Sequence, residues 1–531
     1  MFGRLSASFW PGAAIALGLF VLIAAIFWTL ISADGGGFDI PSRTGRIIRI
    51  SLIQASLSTA LSLAIGLTIA WALSHQPRFP GRGLFVTFLS LSVVLPSLIV
   101  VLGLVAVLGR AGWVSTLLQS LGGEGLQTSI YGLGGIIIAH AYLNASFGGR
   151  VLLERLEAIP ENKKKLVQSL GLTAFQRFRA VEFPAVATTL VALGATIFLL
   201  CFTSFAVVLT LGGSPRYNTL EVAIFEALRV DFDIARAVNL ALIQLAICAA
   251  FIVAASRVRA SFAAVGGAVS RGAHWPEPPV LNGLQKVILS VACLAFALPL
   301  AAIVTDGLRA DLGDLVAERA TQRAFVTSLS IAIVCALLST LAALFLGAAR
   351  RAVTVREKRP LIAAWLSMSS SIYLAFPALV LGLGFFLIAR ALPGSLTAWS
   401  VVALILANAL MALPFSMILI APAQEKVALA YDRLSMSLGV GGFKRFSLVE
   451  WPLLRRDVGI AFAVAFCLSF GDLSVIALFG TQDFTTLPYL LYQKFGSYRT
   501  DDAAGVGLIL LATVIIGFAA WPRLIGGRRD A

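Results

Sequence analysis

Residues 170–184 read LGLTAFQRFRAVEFP, and residues 438–452 read LGVGGFKRFSLVEWP. At a constant offset of 268 (438 minus 170), Gly171 pairs with Gly439, Phe175 with Phe443, Arg177 with Arg445 and Phe178 with Phe446. Val181 and Val449, Glu182 and Glu450, and Pro184 and Pro452 complete the register. About half the chain separates the copies, so the protein reads as a duplication. The likeness extends outward in both directions. Downstream, Gly212 matches Gly480, and NTLEVAIFEAL at 218–228 resembles TTLPYLLYQKF at 485–495 after a one-residue slip. Upstream, LPSLIVVLGL around Pro96 resembles FPALVLGLGF around Pro377, each proline followed seven residues later by a glycine, Gly103 or Gly384.

The sequence around these copies is built for lipid. The 531 residues are 59% hydrophobic and 13% charged, with a mean hydropathy of +0.93. Soluble chains carry roughly 25% charged residues. Uncharged runs long enough to span a bilayer lie between Arg4 and Asp34, Arg49 and Arg78, Arg82 and Arg110, Glu124 and Arg150, Glu182 and Arg216, and Arg236 and Arg257. A second series lies between Lys286 and Asp306, Arg323 and Arg350, Arg359 and Arg390, Arg390 and Glu425, Asp457 and Asp483 (broken only by Asp472), and Asp502 and Arg523. At about 20 apolar residues per span, these are about twelve helices. Runs this long and continuous exclude a barrel. The first, near 11–33, exceeds the 7–15 residue core of a signal peptide and lacks a clear small-residue cleavage site, so it is expected to be a retained helix.

The expected fold class is therefore an all-α integral membrane protein of two six-helix repeats. An even number of spans per half makes the repeats parallel, about a pseudo-twofold axis along the membrane normal. The expected divisions are a first repeat at 1–256, a cytoplasmic linker at 257–283 containing WPEPP at 275–279, and a second repeat at 284–531. With both termini cytoplasmic, most of the 41 lysines and arginines fall on the inner side, which sets the orientation and accounts for the net charge of +15. Basic residues beside anionic lipid suffice to explain that charge, and no nucleic-acid partner is expected. Cys201, Cys248, Cys293, Cys335 and Cys467 all lie in apolar runs without metal spacing and read as small packing residues. No metal site or cofactor is expected.

Both copies of the repeated segment fall on the cytoplasmic side, within loops at about 151–184 and 421–456. Each begins with a polar, helix-compatible stretch, PENKKKLVQSL at 160–170 and LAYDRLSMSL at 429–438. Gly171 or Gly439 then ends it as a C′ residue would. A short second helix with Phe178 or Phe446 follows, and Pro184 or Pro452 precedes the next span. This resembles the coupling loop, or EAA motif, of ABC importer permeases. Leu170, Gly171, Phe175, Phe178, Val181 and Pro184 carry the resemblance in the first half, and Leu438, Gly439, Phe443, Phe446, Val449 and Pro452 in the second. The acidic-alanine start of the motif is replaced by Lys165–Leu166–Val167 and Arg433–Leu434–Ser435, and Phe183 or Trp451 precedes the proline.

The resemblance implies the type I importer permease fold. It also implies docking of each loop into a groove of a cytoplasmic ABC ATPase subunit, in two copies, and a periplasmic or extracytoplasmic substrate-binding protein. The chain has no GK dipeptide and hence no phosphate-cradling G-x-x-x-x-G-K-[ST] loop, so it is expected to be a transport subunit and not an enzyme. CFTSFAVVLTLGG, LSFGDLSVIALFG, GRAGW at 109–113, YGLGGIIIAH at 131–140 and TLPYLLYQKFGSYRTDDAA at 486–504 resemble the thiamine ABC transporter permeases over nearly the whole chain. That likeness implies thiamine and its phosphates as the small-molecule substrate, crossing a bacterial inner membrane. Fused ferric-iron permeases share the architecture and are the alternative. An ion-coupled secondary transporter is the rival class, and it would leave the matched loops unexplained.

Asp472 is the one ionisable side chain that the runs place deep within a span. Its counterpart is Ser204, beside Thr203. These three are the substrate-pathway candidates. Asp472 reads either as a partner for a cation such as the thiazolium of thiamine, or as a carboxylate held by backbone amides or a serine at a helix break near Gly471. His140, its partner Asn408, and Asn144 read as interhelical hydrogen-bond formers. Trp113, Tyr131, Tyr489 and Tyr492 lie towards the outer ends of spans, as an interfacial belt or as contacts for a binding protein.

Overall fold

The computed structural model describes residues 9–33, 42–92, 94–127, 129–213, 216–257, 277–374, 376–497 and 499–527. Every regular element among them is helical. Eleven helices are long and apolar enough to cross a membrane. Twelve result if Pro360–Leu374 and Ala378–Ala391, which meet at 95°, form one broken span. Proline causes the break: Pro377 is extended (φ −60°, ψ 140°) and caps the helix that restarts after it. The first half repeats the device. Arg82–Leu91 stops, Pro96 is extended (φ −57°, ψ 128°), and Ser97–Leu108 begins. The linker expected at 257–283 lies outside the described residues over 258–276.

Two compact units result, each taking helical segments from the other half of the sequence. The first comprises 40–223 and 246–306, and so includes Pro279–Arg309 as far as Asp306. In it Ser42–His75 packs along Leu133–Glu157 and Phe183–Phe202. Gly66 and Gly149 let the first two backbones close up: a Cβ on Gly66 would lie 3.0 Å from the Gly149 nitrogen. Gly103 faces the Pro299 backbone so closely that a Cβ would collide with its carbonyl oxygen. The Tyr142 hydroxyl donates to the Phe296 carbonyl at 2.7 Å.

The second unit comprises 1–39, 224–245 and 307–531, and so includes Phe9–Ser32. Arg319–Arg351 packs along Leu396–Ser437 and Trp451–Phe470. Here Gly384 leaves room for Ile26, and the Tyr373 hydroxyl donates to the Leu19 carbonyl at 2.9 Å. The paired glycines that follow Pro96 and Pro377 thus do one job twice, each seating a first helix. A second match supports the one-residue slip read from the sequence. The Leu220 amide donates to Ser51 at 3.0 Å, and the Leu487 amide donates to Ser328 at 2.8 Å.

The outer face of Phe9–Ser32 exposes Trp10, Leu17, Val21, Trp28 and Ile31. Lipid is the solvent that such a face requires. Polar side chains are turned inward instead. His140 Nδ1 lies 2.7 Å from Gln54 Nε2, Asn144 donates to Cys201 at 3.3 Å, and Asn408 donates to Ser469 at 3.2 Å. Cys201 and Ser469 are one offset apart, so both units bridge the same pair of helices with different chemistry.

Candidate functional site

Each repeated segment folds into an elbow with one design. In the first unit Glu161–Ser169 ends at Gly171, whose φ of +61° only glycine adopts without strain. The Gly171 amide bonds the Gln168 carbonyl at 3.1 Å and the Leu172 amide bonds Val167 at 3.5 Å, a Schellman closure. In the second unit Leu396–Ser437, 42 residues long, ends at Gly439 with φ +64°. Its Gly439 and Val440 amides bond Met436 at 3.2 Å and Ser435 at 2.9 Å. A single helical turn follows, Ala174–Arg177 or Gly442–Arg445. Thr173 caps the first of these reciprocally with Gln176. Next comes one π-helical turn in the same register, Phe178–Glu182 or Phe446–Glu450, leading into the span that begins with Phe183–Pro184 or Trp451–Pro452. A π turn recurring at one place in both halves marks that place as more than a connector.

The elbow has two faces. Outward, Phe175 is 72% exposed and Phe443 80%, with Leu166 and Leu170 beside the first and Leu434, Met436, Leu438 and Leu448 beside the second. Phe178 and Val181, like Phe446 and Val449, are half-buried and brace the turn. Phe178 packs on Phe183 with ring centres 6.0 Å apart, and Phe446 on Trp451 likewise at 6.0 Å. Pro184 and Pro452 are exposed at the start of the span.

Inward, each π turn delivers a glutamate into a buried ionic cluster. In the first unit Arg177 Nε lies 2.8 Å from Glu182, and the same guanidinium pairs with Glu277. His75 Nε2 is 3.0 Å from Glu182 and 3.4 Å from Glu277, while its Nδ1 faces the Trp71 carbonyl at 2.8 Å. In the second unit Arg445 Nε lies 2.9 Å from Glu450 and pairs also with Asp432, and Arg351 Nη1 lies 2.7 Å from Glu450. Arg177 and Glu182 keep only 4% and 1% of their surface, and Arg445 and Glu450 are buried too. Charges withdrawn from water to this degree hold only while each has its partner, and removing one costs roughly 3–5 kcal/mol. The repeat exposed Arg177–Arg445 and Glu182–Glu450 as pairs, but gave them no role. His75, Arg351 and Glu277 come from outside the two loops, Asp432 lies within the second, and none of the four carried a signal of its own.

The pathway candidates sit at matching interruptions. Thr203 and Ser204 lie between Phe183–Phe202 and Ala206–Leu211, and Asp472 lies between Trp451–Phe470 and Ser474–Phe479. All three are half-buried. The Thr203 hydroxyl donates back to the Leu199 carbonyl at 2.9 Å. Asp472 accepts the Ser474 and Val475 amides, both at 3.1 Å. Its carboxylate therefore stands at the start of a turn and not in the middle of a continuous helix, and it caps donors that the break leaves free.

No family model matches the chain. Individual relatives match it along nearly its whole length. It is 38% identical over 525 residues to the thiamine transport system permease protein ThiP of Brucella abortus (strain 2308), covering 98% of this chain and 96% of that one. It is 37% identical to the Escherichia coli (strain K12) protein of the same name over 517 residues, 97% of this chain and 94% of that one. The Haemophilus influenzae protein of that name is 38% identical over 480 residues, 89% and 87%. With end-to-end identity at this level and a multi-pass helical structure carrying two matched elbows, this chain belongs to the family of thiamine transport system permease proteins.

Proposed function

We propose that the chain is the membrane pathway of an ABC importer in a bacterial inner membrane, moving thiamine and its phosphates inward. In this reading, ATP is hydrolysed on two copies of a cytoplasmic ATPase subunit, one docked on each elbow. A periplasmic binding protein delivers the substrate, and both chain termini are cytoplasmic. One observation carries the reading: two elbows of one architecture each raise an exposed phenylalanine, Phe175 or Phe443, above a buried ionic cluster. A rigid base beneath an apolar knob suits a helix-in-groove contact that must transmit force. The relatives' names favour thiamine over ferric iron as cargo.

A tagged chain solubilised in mild detergent is expected to bring down an ATPase subunit. Uptake of labelled thiamine is expected to stop on ATP depletion and to survive collapse of ion gradients. The reverse pattern would assign the chain to ion-coupled transport, and uptake of ferric ion in place of thiamine would reassign the cargo.

In this reading Asp472, Thr203 and Ser204 line the route. Asp472→Asn keeps an accepting oxygen for the turn at Ser474 and removes the charge. Thiamine uptake is expected to fall about tenfold, equivalent to about 1.4 kcal/mol of lost interaction with the cation, with little change in thermal stability. Unchanged uptake would leave Asp472 as a helix cap alone. Asp472→Ala is expected to cost about 1 kcal/mol of stability as well, because the cap is lost.

A further inference from the structure

The two ionic clusters are not copies, and one of their differences lies at the position of Asp432. At the offset of 268, Asp432 corresponds to Lys164. Asp432 pairs with Arg445 in the second elbow. Lys164 puts the opposite charge in the same place, and it is buried. Burial pulls its pKa down, opposed by the carboxylates of Glu157, Glu161 and Glu182. The first elbow thus lacks the acid that its own helix supplies in the second, yet Arg177 still has two carboxylate partners. The additional one, Glu277, lies just ahead of Pro279–Arg309, the first helix of the second sequence half. Pro278 and Pro279 follow it directly and limit the backbone freedom of its approach. The same stretch is fastened a second time: Gln76, next to His75, donates to Asn282 at 2.7 Å and to Gln285 at 2.8 Å.

We propose that Glu277 is a positioning residue of the first coupling elbow, replacing the acid absent at position 164 and binding the helix Pro279–Arg309 into that elbow. Glu277 acts through Arg177 and touches no substrate. Its effect on transport rests on the docking role proposed above, whereas its effect on stability does not.

The test uses the full chain, both with its ATPase in membrane vesicles and alone in detergent, as wild type, Glu277→Gln, Lys164→Asp, and the double variant. Glu277→Gln is expected to lower the melting temperature of the detergent-solubilised chain and to reduce thiamine moved per ATP hydrolysed at least fivefold. Adding Lys164→Asp restores an acid from the position that Asp432 uses, and is expected to return both readouts to within twofold of wild type. Lys164→Asp alone crowds three carboxylates around Arg177 and is expected to be worse than the double variant. The proposal is overturned if Glu277→Gln matches wild type in both readouts, or if the double variant is no better than Glu277→Gln. Rescue of the melting temperature without rescue of transport would retain the structural bond and overturn the positioning role. Absence of any ATPase with the wild-type chain would instead defeat the functional reading, leaving the melting temperatures to judge the bond.

Discussion

Replacing Phe175 and Phe443 together with aspartate is expected to abolish capture of the ATPase subunit and to reduce substrate uptake at least a hundredfold, while the chain still accumulates in the membrane. Both side chains are largely exposed, so neither holds its own fold together. At a docked interface the same two rings would be desolvated anchors, each worth about 2 kcal/mol or more on truncation. Each subunit then loses its own anchor, about 2 kcal/mol or roughly thirtyfold in affinity at each elbow. Aspartate adds the cost of bringing an unpaired charge into an apolar groove. Co-purification in mild detergent reads the outcome directly. Retention of the ATPase at wild-type levels would remove these phenylalanines from the interface. Single substitutions are expected to show intermediate loss, since each elbow would dock its own subunit.

Gly103→Leu is expected to be the most damaging single change inside the first unit. A side chain there meets the carbonyl and backbone of Pro299, which cannot rotate aside as a flexible side chain would. Overpacking against backbone costs roughly 3 kcal/mol and can displace the helix altogether. The expected result is a lower melting temperature in detergent and reduced accumulation. Gly384→Leu is expected to do the same in the second unit, through Ile26. Gly18 is the control: nothing lies near its absent Cβ, and Gly18→Leu on that exposed face is expected to stay within about 0.5 kcal/mol of wild type. Equal damage at Gly18 and Gly103 would mean that the close approach at Pro299 carries no special weight.

Hydropathy and the repeat together made much of this architecture legible. Charge-free runs mark where helices cross, because lipid tolerates nothing else, and the offset of 268 identified equivalent residues before any fold was known. The glycines at 171 and 439 signalled their left-handed turns. What hydropathy lacks is adjacency. Nothing in the runs says that Phe9–Ser32 belongs with 307–531, or Pro279–Arg309 with 40–223. No other charge interrupts 458–482, which places Asp472 deep within an apolar run. Of its two readings, the carboxylate held by backbone amides at a helix break near Gly471 matches the structure, where one helix ends at Phe470 and another starts at Ser474. The clue was local, an acid directly after glycine and two residues ahead of a serine. The buried clusters were illegible for a different reason. Three of their members, His75, Glu277 and Arg351, lie far in sequence from the loops they join.

The exchanged first helices impose an order on biosynthesis. A ribosome completes Phe9–Ser32 long before it reaches Gly384 and Tyr373, so this segment enters the bilayer first and waits longest for its neighbours. Units generally close as they emerge. Here the unit of 40–223 and 246–306 can close once Asp306 has been made, while the opening helix waits for Arg319–Arg351 and then Ala378–Ala391 to follow. A helix with that itinerary must be stable alone in lipid, which is the use of its charge-free sequence.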